Sequence, residues 1–482
     1  MSTRLYEKEV AITGIGQSEV GRPSQLSGMR LTVDACLQAI ADAGLERGDI
    51  DGIACWPGDN NNGDSFSPVG PIALKNALGL EVNWFGGGYE GPGPLAGVIN
   101  GAMAITSGLC KHVLVFRTIT ESSSRLINKQ ASALTNKTAG RDSSFAWQWY
   151  TPFNVLSAVN LMAIYAQRHF HEYGTKPEQL AQIALTCRKH AQLNPKAVYR
   201  SPMSMDDYMQ SRMISSPLRM FDCDVHCDAS TAIILSHKDA ARDTKNPPIR
   251  IEAIGAALHQ PWSWDQISLT EGAAFDVSKM MWSRTDLKPK DVKSAQLYDG
   301  FSILTMIWLE ALGLCPRGES GNFIEGGQRI SLTGQLPLNT NGGQLSGGRT
   351  HGLGYLHEAC LQLWGKAGER QIADHQVAVT AAGGGPLGAH QHVGAVVLDR
   401  LETADGPAEL FARLGIFQCQ LIRPLGDAQR DHGRTDPLRV IGHHQPGETV
   451  AQSLRRHQHH VSGNFQIFEN DFSLGNAPEP HG

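Results

Sequence analysis

The feature that most constrains this chain is an order of elements that occurs twice. Leu45-Glu-Arg-Gly-Asp-Ile-Asp-Gly-Ile-Ala54 and Leu287-Lys-Pro-Lys-Asp-Val-Lys-Ser-Ala-Gln296 each place a polar linker and an Asp followed by a β-branched residue before a short strand. Each is followed further on by a helix and an apolar strand, AGVINGAMAITSG with VLVF and then YLHEACLQLWGKAG with VAVTAA. Shared order over such a length predicts an internal duplication, with each half supplying layers of one larger core. The local signals agree with an α/β arrangement. Val10 to Gly16 is an apolar run ending in glycine, Leu31 to Ala43 has helical apolar spacing with Gly44 as its stop, and Asp51 to Trp56 reads as a strand.

A chain of 482 residues has ample length for a buried core, and its 42 Lys+Arg against 47 Asp+Glu give neither the basic surface of a nucleic-acid binder nor a polyanionic tail. The polar start, Met1 to Val10, lacks the apolar stretch of a signal peptide, and no run of about 18 apolar residues follows that could span a bilayer. A cytoplasmic protein is the expectation. Nine scattered cysteines suit reduced thiols better than a disulfide framework. Between roughly Thr120 and Pro217 an aromatic-rich stretch with helices such as Leu156 to His171 reads as a cap or lid inserted in the first half. After Arg400, seven of the 19 histidines accumulate without any apolar period, which predicts a disordered tail. The expected organisation is therefore 1–245, an N-terminal half including the cap at about 120–217; 246–400, a C-terminal half; and 401–482, the tail.

At Asn339-Thr-Asn-Gly-Gly343, continuing through Leu345, Gly348 and Gly352 to a helix bearing Glu358, the chain resembles the thiolase superfamily. Ala102 to Gly108, Phe221 to Leu235 and Ala381 to Gly385 are similar to further thiolase segments in the same order, so the likeness covers about Val10 to Arg400. It implies a thiolase-like, duplicated five-layer αβαβα fold. The departures matter as much. Where a thiolase has its nucleophilic Cys, this chain has Gly91; where it has an activating His, Arg349; where it has the second Cys, Ala381. Gly and Ala side chains cannot carry a thioester, so ordinary Claisen chemistry is not expected.

Tyr298-Asp-Gly-Phe301 stands at the end of a second-half strand, and Gly348-Arg-Thr-His-Gly-Leu-Gly-Tyr355 on the opposite loop. This combination looks like the non-thiolase branch called lipid-transfer proteins or steroid side-chain aldolases, related to the thiolase-like part of sterol carrier protein x. The resemblance implies retro-aldol cleavage of a β-hydroxyacyl-CoA by two tyrosines, which map to Tyr298 and Tyr355. Such a reaction needs a base for the β-hydroxyl proton and donors for the thioester enolate. A Tyr brought from about 10 to about 7 would require roughly 4 kcal/mol of differential stabilisation, which Arg349 or a protonated His351 could partly supply. The assignment is Tyr298 and Tyr355 as the proton-transfer pair, supported by Asp299 and His351. Gly91, Asn339, Gly342, Gly343, Arg349, Gly383 and Gly384 are expected to bind substrate, several through backbone N–H groups facing the enolate.

Plainer readings stand beside these. Tyr298 and Asp299 can be a strand end and a turn, Tyr355 the first core residue of a helix, His351 a structural ring, and Arg349 a surface charge or a binder of CoA phosphate. Cys223-x-x-His226-Cys227 has no second ligand pair, so no metal is expected, and Gly91 to Gly97 has the wrong spacing for a dinucleotide loop. No cofactor is expected beyond coenzyme A as part of the substrate. The resemblance also implies a homodimer and a small acyl-CoA-binding partner of OB fold. Two competing functions remain at this level: an acetyl-CoA acetyltransferase-like enzyme using Cys55 or Cys110 as nucleophile, and a non-catalytic acyl-CoA-binding subunit.

Overall fold

The computed structural model describes residues 5–58, 65–88, 93–126, 151–155, 157–258, 268–373, 375–383 and 392–400. The chain divides into Met1–Gly406 and Pro407–Gly482, and only the first unit carries described residues. The tail, Gly91, Gly384 and part of the expected cap lie outside them.

The strands are β1 (Val10–Gln17), β2 (Gly52–Cys55), β3 (Trp84–Gly87), β4 (His112–Thr120), β5 (Met213–Ser215), β6 (Leu218–Arg219), β7 (Asp228–His237), β8 (Ile249–Leu258), β9 (Ser294–Leu297), β10 (Val377–Gly383) and β11 (His392–Arg400). Among the described residues all but the β5–β6 hairpin join one sheet, ordered β3-β2-β4-β7-β1-β8-β11-β10-β9. The duplication is visible in that order. Read outward from the centre, the first half runs β1-β7-β4-β2 and the second β8-β11-β10-β9. In each, the last strand of the half is antiparallel to both neighbours, whereas β2 with β4 and β9 with β10 are parallel. The halves join through a short antiparallel contact, Ala11 opposite Arg250 and Ile12 opposite Ile249.

The helices are α1 (Gly28–Ala43), α2 (Pro71–Leu78), α3 (Ala96–Thr106), α4 (Ala158–Tyr173), α5 (Pro177–Gln192), α6 (Met205–Gln210), α7 (Ala273–Trp282), α8 (Ser302–Ala311), α9 (Ser320–Ile324) and α10 (His351–Leu363). Three buried clusters define the layers. Ala35, Ala39 and Ile40 of α1 with Leu74 of α2 cover one face of the first-half strands through Ile53, Leu114 and Ile234. The opposite face, through Val113, Val115 and Leu235, packs on α3 and α10, which also meet Ile251 and Ala378 of the second half. Beyond it, Ala295, Leu297 and Val379 face α7 and α8. Alternation along the strands sends successive side chains to opposite faces and so produces the αβαβα stack.

Local chemistry sets the boundaries. Ser27 accepts a hydrogen bond from the Arg30 N–H to start α1, and Gly44, at φ 72°, ends it where the sequence placed the stop. The described part of the cap differs from the expected lid. Leu180, Ile183, Ala184 and Cys187 form an apolar stripe on α5 that is buried with α8 in the second half's outer core. A stripe this apolar is more stable against a helix layer than over water. Of the thiolase-like segment Phe221 to Leu235, only the part from Asp228 is strand β7, so 223–227 run as a loop toward the second half, with the Asp224 N–H donating to the Gly300 carbonyl at 3.1 Å.

Candidate active site

Strand β9 ends at Leu297, so Tyr298 and Asp299 emerge from its C-terminal end. Asn339 fixes the facing loop there: its Oδ1 accepts from the Leu297 N–H at 2.7 Å and its Nδ2 donates to the Leu297 carbonyl at 2.9 Å. From it the chain turns through a single π-helical turn, Gly343–Gly347, and enters α10 at His351. Gly343 cannot be replaced without displacement, because its φ is 59° and a Cβ there would lie 1.9 Å from Asp299 Oδ2.

Asp299 is the hub of this loop and is fully buried. Its carboxyl accepts from the Gln344 N–H at 2.7 Å, the Leu345 N–H at 3.4 Å, the Cys187 thiol at 3.4 Å and the Tyr355 hydroxyl. The Asp299 N–H in turn donates to the Tyr355 oxygen at 3.0 Å. Tyr298 stands edge-on to Tyr355, with ring centroids 6.4 Å apart, and is the less buried of the two. Burial pushes both phenols up, reinforced by Asp224 at Tyr298 and by Asp299 at Tyr355. Burial also raises Asp299 above the usual carboxylate range, although its donors oppose this.

The first half supplies charge. Arg349 bridges to Asp224 at 3.3 Å and to Glu121, which stands just past the end of β4. Burial works against the Arg349 cation, but the two carboxylates outweigh it and hold its pKa above the ordinary value. Asp224 is pushed up to about 6, first by burial and then by Glu121 against the pull of Arg349. From the middle of β4, the Arg117 guanidinium donates to His351 Nδ1 at 3.2 Å, and the His351 N–H donates to Gln344 Oε1 at 3.1 Å. Because a guanidinium only donates, Nδ1 is the acceptor and the ring hydrogen sits on Nε2. Burial, Arg117 and Arg349 together hold His351 well below its usual pKa.

These findings correct several expectations. His351 is neutral and cannot lower a tyrosine's pKa by its charge; both phenols are protonated at rest, so neither is a resting base. Tyr355 is not on a loop but inside α10, at 1% exposure. Asn339 has both ends of its amide engaged with Leu297 and holds the loop instead of meeting substrate. The N–H groups of Gly342 and Gly343, expected to face an enolate, donate to the Asn339 carbonyl and to Asn341 Oδ1. Gly383, at φ 87°, ends β10, and its carbonyl accepts from the Trp308 indole at 2.9 Å. Arg349 is an inward ion-pair partner and not a surface charge. The sequence reading missed Gln344, Asp224, Glu121 and Arg117. A signal existed only for Arg117, a charge that directly follows the apolar run HVLVF and precedes Thr-Ile-Thr.

The alternative nucleophiles are poorly placed. Cys110 precedes β4, at the end of the strand opposite Glu121, and burial pushes its thiol up to about 12; Cys55 faces the α1 layer. Nearer the site, burial keeps Cys187, Cys223 and Cys227 protonated. Among the described residues no group of three His, Cys, Asp or Glu is arranged to hold a metal ion. A cleft of about 660 Å³ lies behind Gly347 to Thr350, lined by Lys196, Arg200 and Arg370, but none of the candidate catalytic side chains opens into it.

Residues 256–399 match the family model described as Thiolase C-terminal domain-like. The 17-hydroxy-3-oxo-4-pregnene-20-carboxyl-CoA lyase of Mycobacterium tuberculosis is 33% identical over 396 residues, covering 79% of this chain and 98% of that protein. The chain belongs to the thiolase-like aldolases. A steroid side-chain-cleaving aldolase of Thermomonospora curvata is 34% identical over 384 residues, 78% of this chain and 95% of that one. Among solved structures, the Ltp2-ChsH2(DUF35) aldolase superposes with a TM-score of 0.71 at 30% identity, covering 83% of this chain and 100% of that chain. The aldolase is thus a carbon–carbon lyase on a thiolase fold, and no helix among its described residues is long and apolar enough to cross a membrane.

Proposed function

We propose that this aldolase cleaves a β-hydroxyacyl-CoA whose acyl group is a steroid side chain or a similar lipid, with coenzyme A entering only as part of the substrate. The observation that carries the reading is the buried Tyr298–Tyr355–Asp299–Gln344 cluster, which offers proton donors and acceptors beside thiols that are all held protonated. In the reaction the β-hydroxyl loses its proton as the Cα–Cβ bond breaks. A ketone or aldehyde leaves, and the thioester enolate takes a proton at Cα. Tyr298, the more accessible phenol, meets the reacting oxygen. Tyr355 and Asp299 behind it exchange the second proton, and the His351 Nε2–H is available as a neutral donor to the enolate.

The name of the Mycobacterium tuberculosis lyase supports a substrate with a hydroxyl on the ring carbon next to the side chain, and that of the Thermomonospora curvata aldolase supports a steroid side chain as the part cleaved. Retro-aldol cleavage of 17-hydroxy-3-oxo-4-pregnene-20-carboxyl-CoA would give a 17-ketosteroid and a short acyl-CoA. The solved relative carries ChsH2 (DUF35) in its name, which supports a small partner for this chain, and we assign that partner the OB fold. The edge strand β3, with Phe85 60% exposed beside Ile72 at 65%, is the surface on which we place a homodimer contact. The test is to incubate the purified chain, with and without a DUF35 partner, with that CoA ester and assay the ketosteroid. No product under either condition, while the ester still binds tightly, would replace this function with that of a silent acyl-CoA-binding subunit.

A further inference from the structure

The cleft of about 660 Å³ behind Gly347 to Thr350 takes no part in the chemistry above, and its volume is that of a site for a whole small molecule. Seven charged side chains line it. Lys366 pairs with Asp42 at 3.1 Å and Arg370 with Glu358 at 2.9 Å, so those four cancel. Of the remaining three, Lys196 and Arg200 are cations against the single carboxylate of Glu369. Among the described residues both cations donate to backbone carbonyls and pair with no carboxylate: Lys196 Nζ reaches Gln17 at 2.5 Å and Arg200 Nη2 reaches Gln192 at 3.3 Å. Each keeps further N–H groups in hand. Burial lowers Lys196 from the usual lysine range, so its ammonium is partly stripped of water without a counter-charge.

Two neutral donors stand in the same lining. Nothing among the described residues hydrogen-bonds the His357 ring, which α10 brings to the cleft. Burial, then Lys196 and Arg370, hold that ring down to about 3, so it is uncharged and offers one N–H. Asn341 Oδ1 accepts from the Gly343 N–H at 2.8 Å, which fixes the amide and leaves Nδ2 for another partner. The wall is braced before any ligand arrives. Asn194 Nδ2 donates to the Asn341 carbonyl at 2.8 Å, and Asn194 Oδ1 accepts from the Lys196 N–H at 3.1 Å. Ile15, Val20 and Leu361 give the cleft an apolar surface as well.

We propose that this cleft is a second ligand site, distinct from the catalytic one, for a phosphorylated small molecule of nucleotide size. Lys196 and Arg200 hold the phosphate, the His357 and Asn341 N–H groups complete its hydrogen bonds, and the organic part lies along Ile15, Val20 and Leu361. A phosphate monoester carries close to two charges and three terminal oxygens, which matches two cations and two neutral donors better than a carboxylate does. Arg349 turns from the partition toward Glu121 and Asp224, whereas Gly347, Gly348 and Thr350 beside it line the cleft, so the two sites lie on opposite sides of one loop. A free nucleotide and the nucleotide end of coenzyme A present the same chemistry.

The test is calorimetry on the full chain with adenosine 3′,5′-bisphosphate, inorganic phosphate and coenzyme A as probes. The bisphosphate should bind at least about tenfold more tightly than inorganic phosphate, because the apolar surface adds to the ionic grip, and should weaken as salt is raised. Lys196→Gln and Arg200→Gln should each weaken it at least about fivefold, and Lys196→Arg, which keeps the charge, should weaken it less. Coenzyme A that displaces the bisphosphate identifies the cofactor's nucleotide end as the source; coenzyme A that leaves it bound identifies a free nucleotide. Three results would overturn the inference: no saturable binding of the bisphosphate, the same affinity in a Lys196→Gln, Arg200→Gln double variant, or inorganic phosphate binding as tightly as the bisphosphate. None of these readings uses turnover, so they stand apart from the fate of the aldolase reaction.

Discussion

Compare the strand ends that the two halves bring to the same place. In the first half, β2 ends in Cys55 and Trp56, and β4 carries Arg117 and leads into Glu121. In the second half, β9 ends in Tyr298 and Asp299, and β10 in Gly383. The topology is the same twice, yet one copy delivers fixed charge and the other exchangeable hydroxyl and carboxyl protons. Even the equivalent aromatics diverge: Trp56 packs 5.6 Å from the Arg117 guanidinium, whereas Tyr298 faces Tyr355. The duplication supplied a frame, and the chemistry arose where the copies stopped matching.

Tyr298→Phe tests this division most sharply. Removing one hydroxyl from the second half should lower kcat by about 10²–10⁴ with little change in KM, since a proton-transfer group acts chiefly in the transition state. A loss below tenfold in the ketosteroid assay would move the chemistry out of β9. The matching insult to the first half's charges is Arg349→Met, which removes the second-half cation that pairs with Glu121 and Asp224 and strands both carboxylates in a mostly buried site. Chemical denaturation should then show a stability loss of about 3 kcal/mol, and Glu121→Gln in the same chain should recover part of it. If Arg349→Met is as stable as the parent, the ion cluster is not a structural part of the first half at all.

Much of this division was legible in the sequence. The duplicated order, Gly44 as a helix stop and the strand before Tyr298 all follow from periodicity and turn chemistry, which act locally. The thiolase-like loop placed Asp299 and Tyr355 near one another, because Asn339 to Gly343 is a contiguous motif. What the sequence could not show is which polar atoms pair across long separations. Gln344 reads as an ordinary loop residue until Asp299 is seen under its N–H, and Asp224 meets Arg349 only because β7 starts late enough to leave 223–227 as a loop. Protonation states were hidden for the same reason. Arg349 suggested a lowered tyrosine pKa, but burial is the larger influence, and burial is a property of the whole fold.

A smaller effect is expected from Tyr355→Phe, which leaves the Asp299 carboxyl and N–H each short of a partner. The cost should be about 1–3 kcal/mol, with a loss of activity less than that of Tyr298→Phe. Its pH dependence has a definite sign. The folded state already raises the pKa of Asp299, so that residue's contribution to stability is present at low pH and is lost as pH rises through the raised value. Losing the Tyr355 hydrogen bond raises it further, so the stability gap between variant and parent should widen from acidic to alkaline pH. A gap constant with pH in parallel urea titrations would mean that Tyr355 does not stabilise the Asp299 carboxylate.

The least effect belongs to the first-half cysteines, and its smallness is informative. If the second half carries the proton chemistry and no thiol serves as nucleophile, Cys55→Ala and Cys110→Ala should each leave kcat within about twofold, because Cys55 packs in the α1 layer and Cys110 precedes β4, at the end of that strand away from Glu121. Both side chains are buried, at 4% and 5% exposure, so a stability loss of about 1 kcal/mol is expected from the lost packing even as the rate holds. Measuring rate and stability on the same preparation separates the two. A rate collapse in the Cys55 variant without a matching stability loss would restore the acyl-transfer reading and make β2, not β9, the strand that carries the reaction.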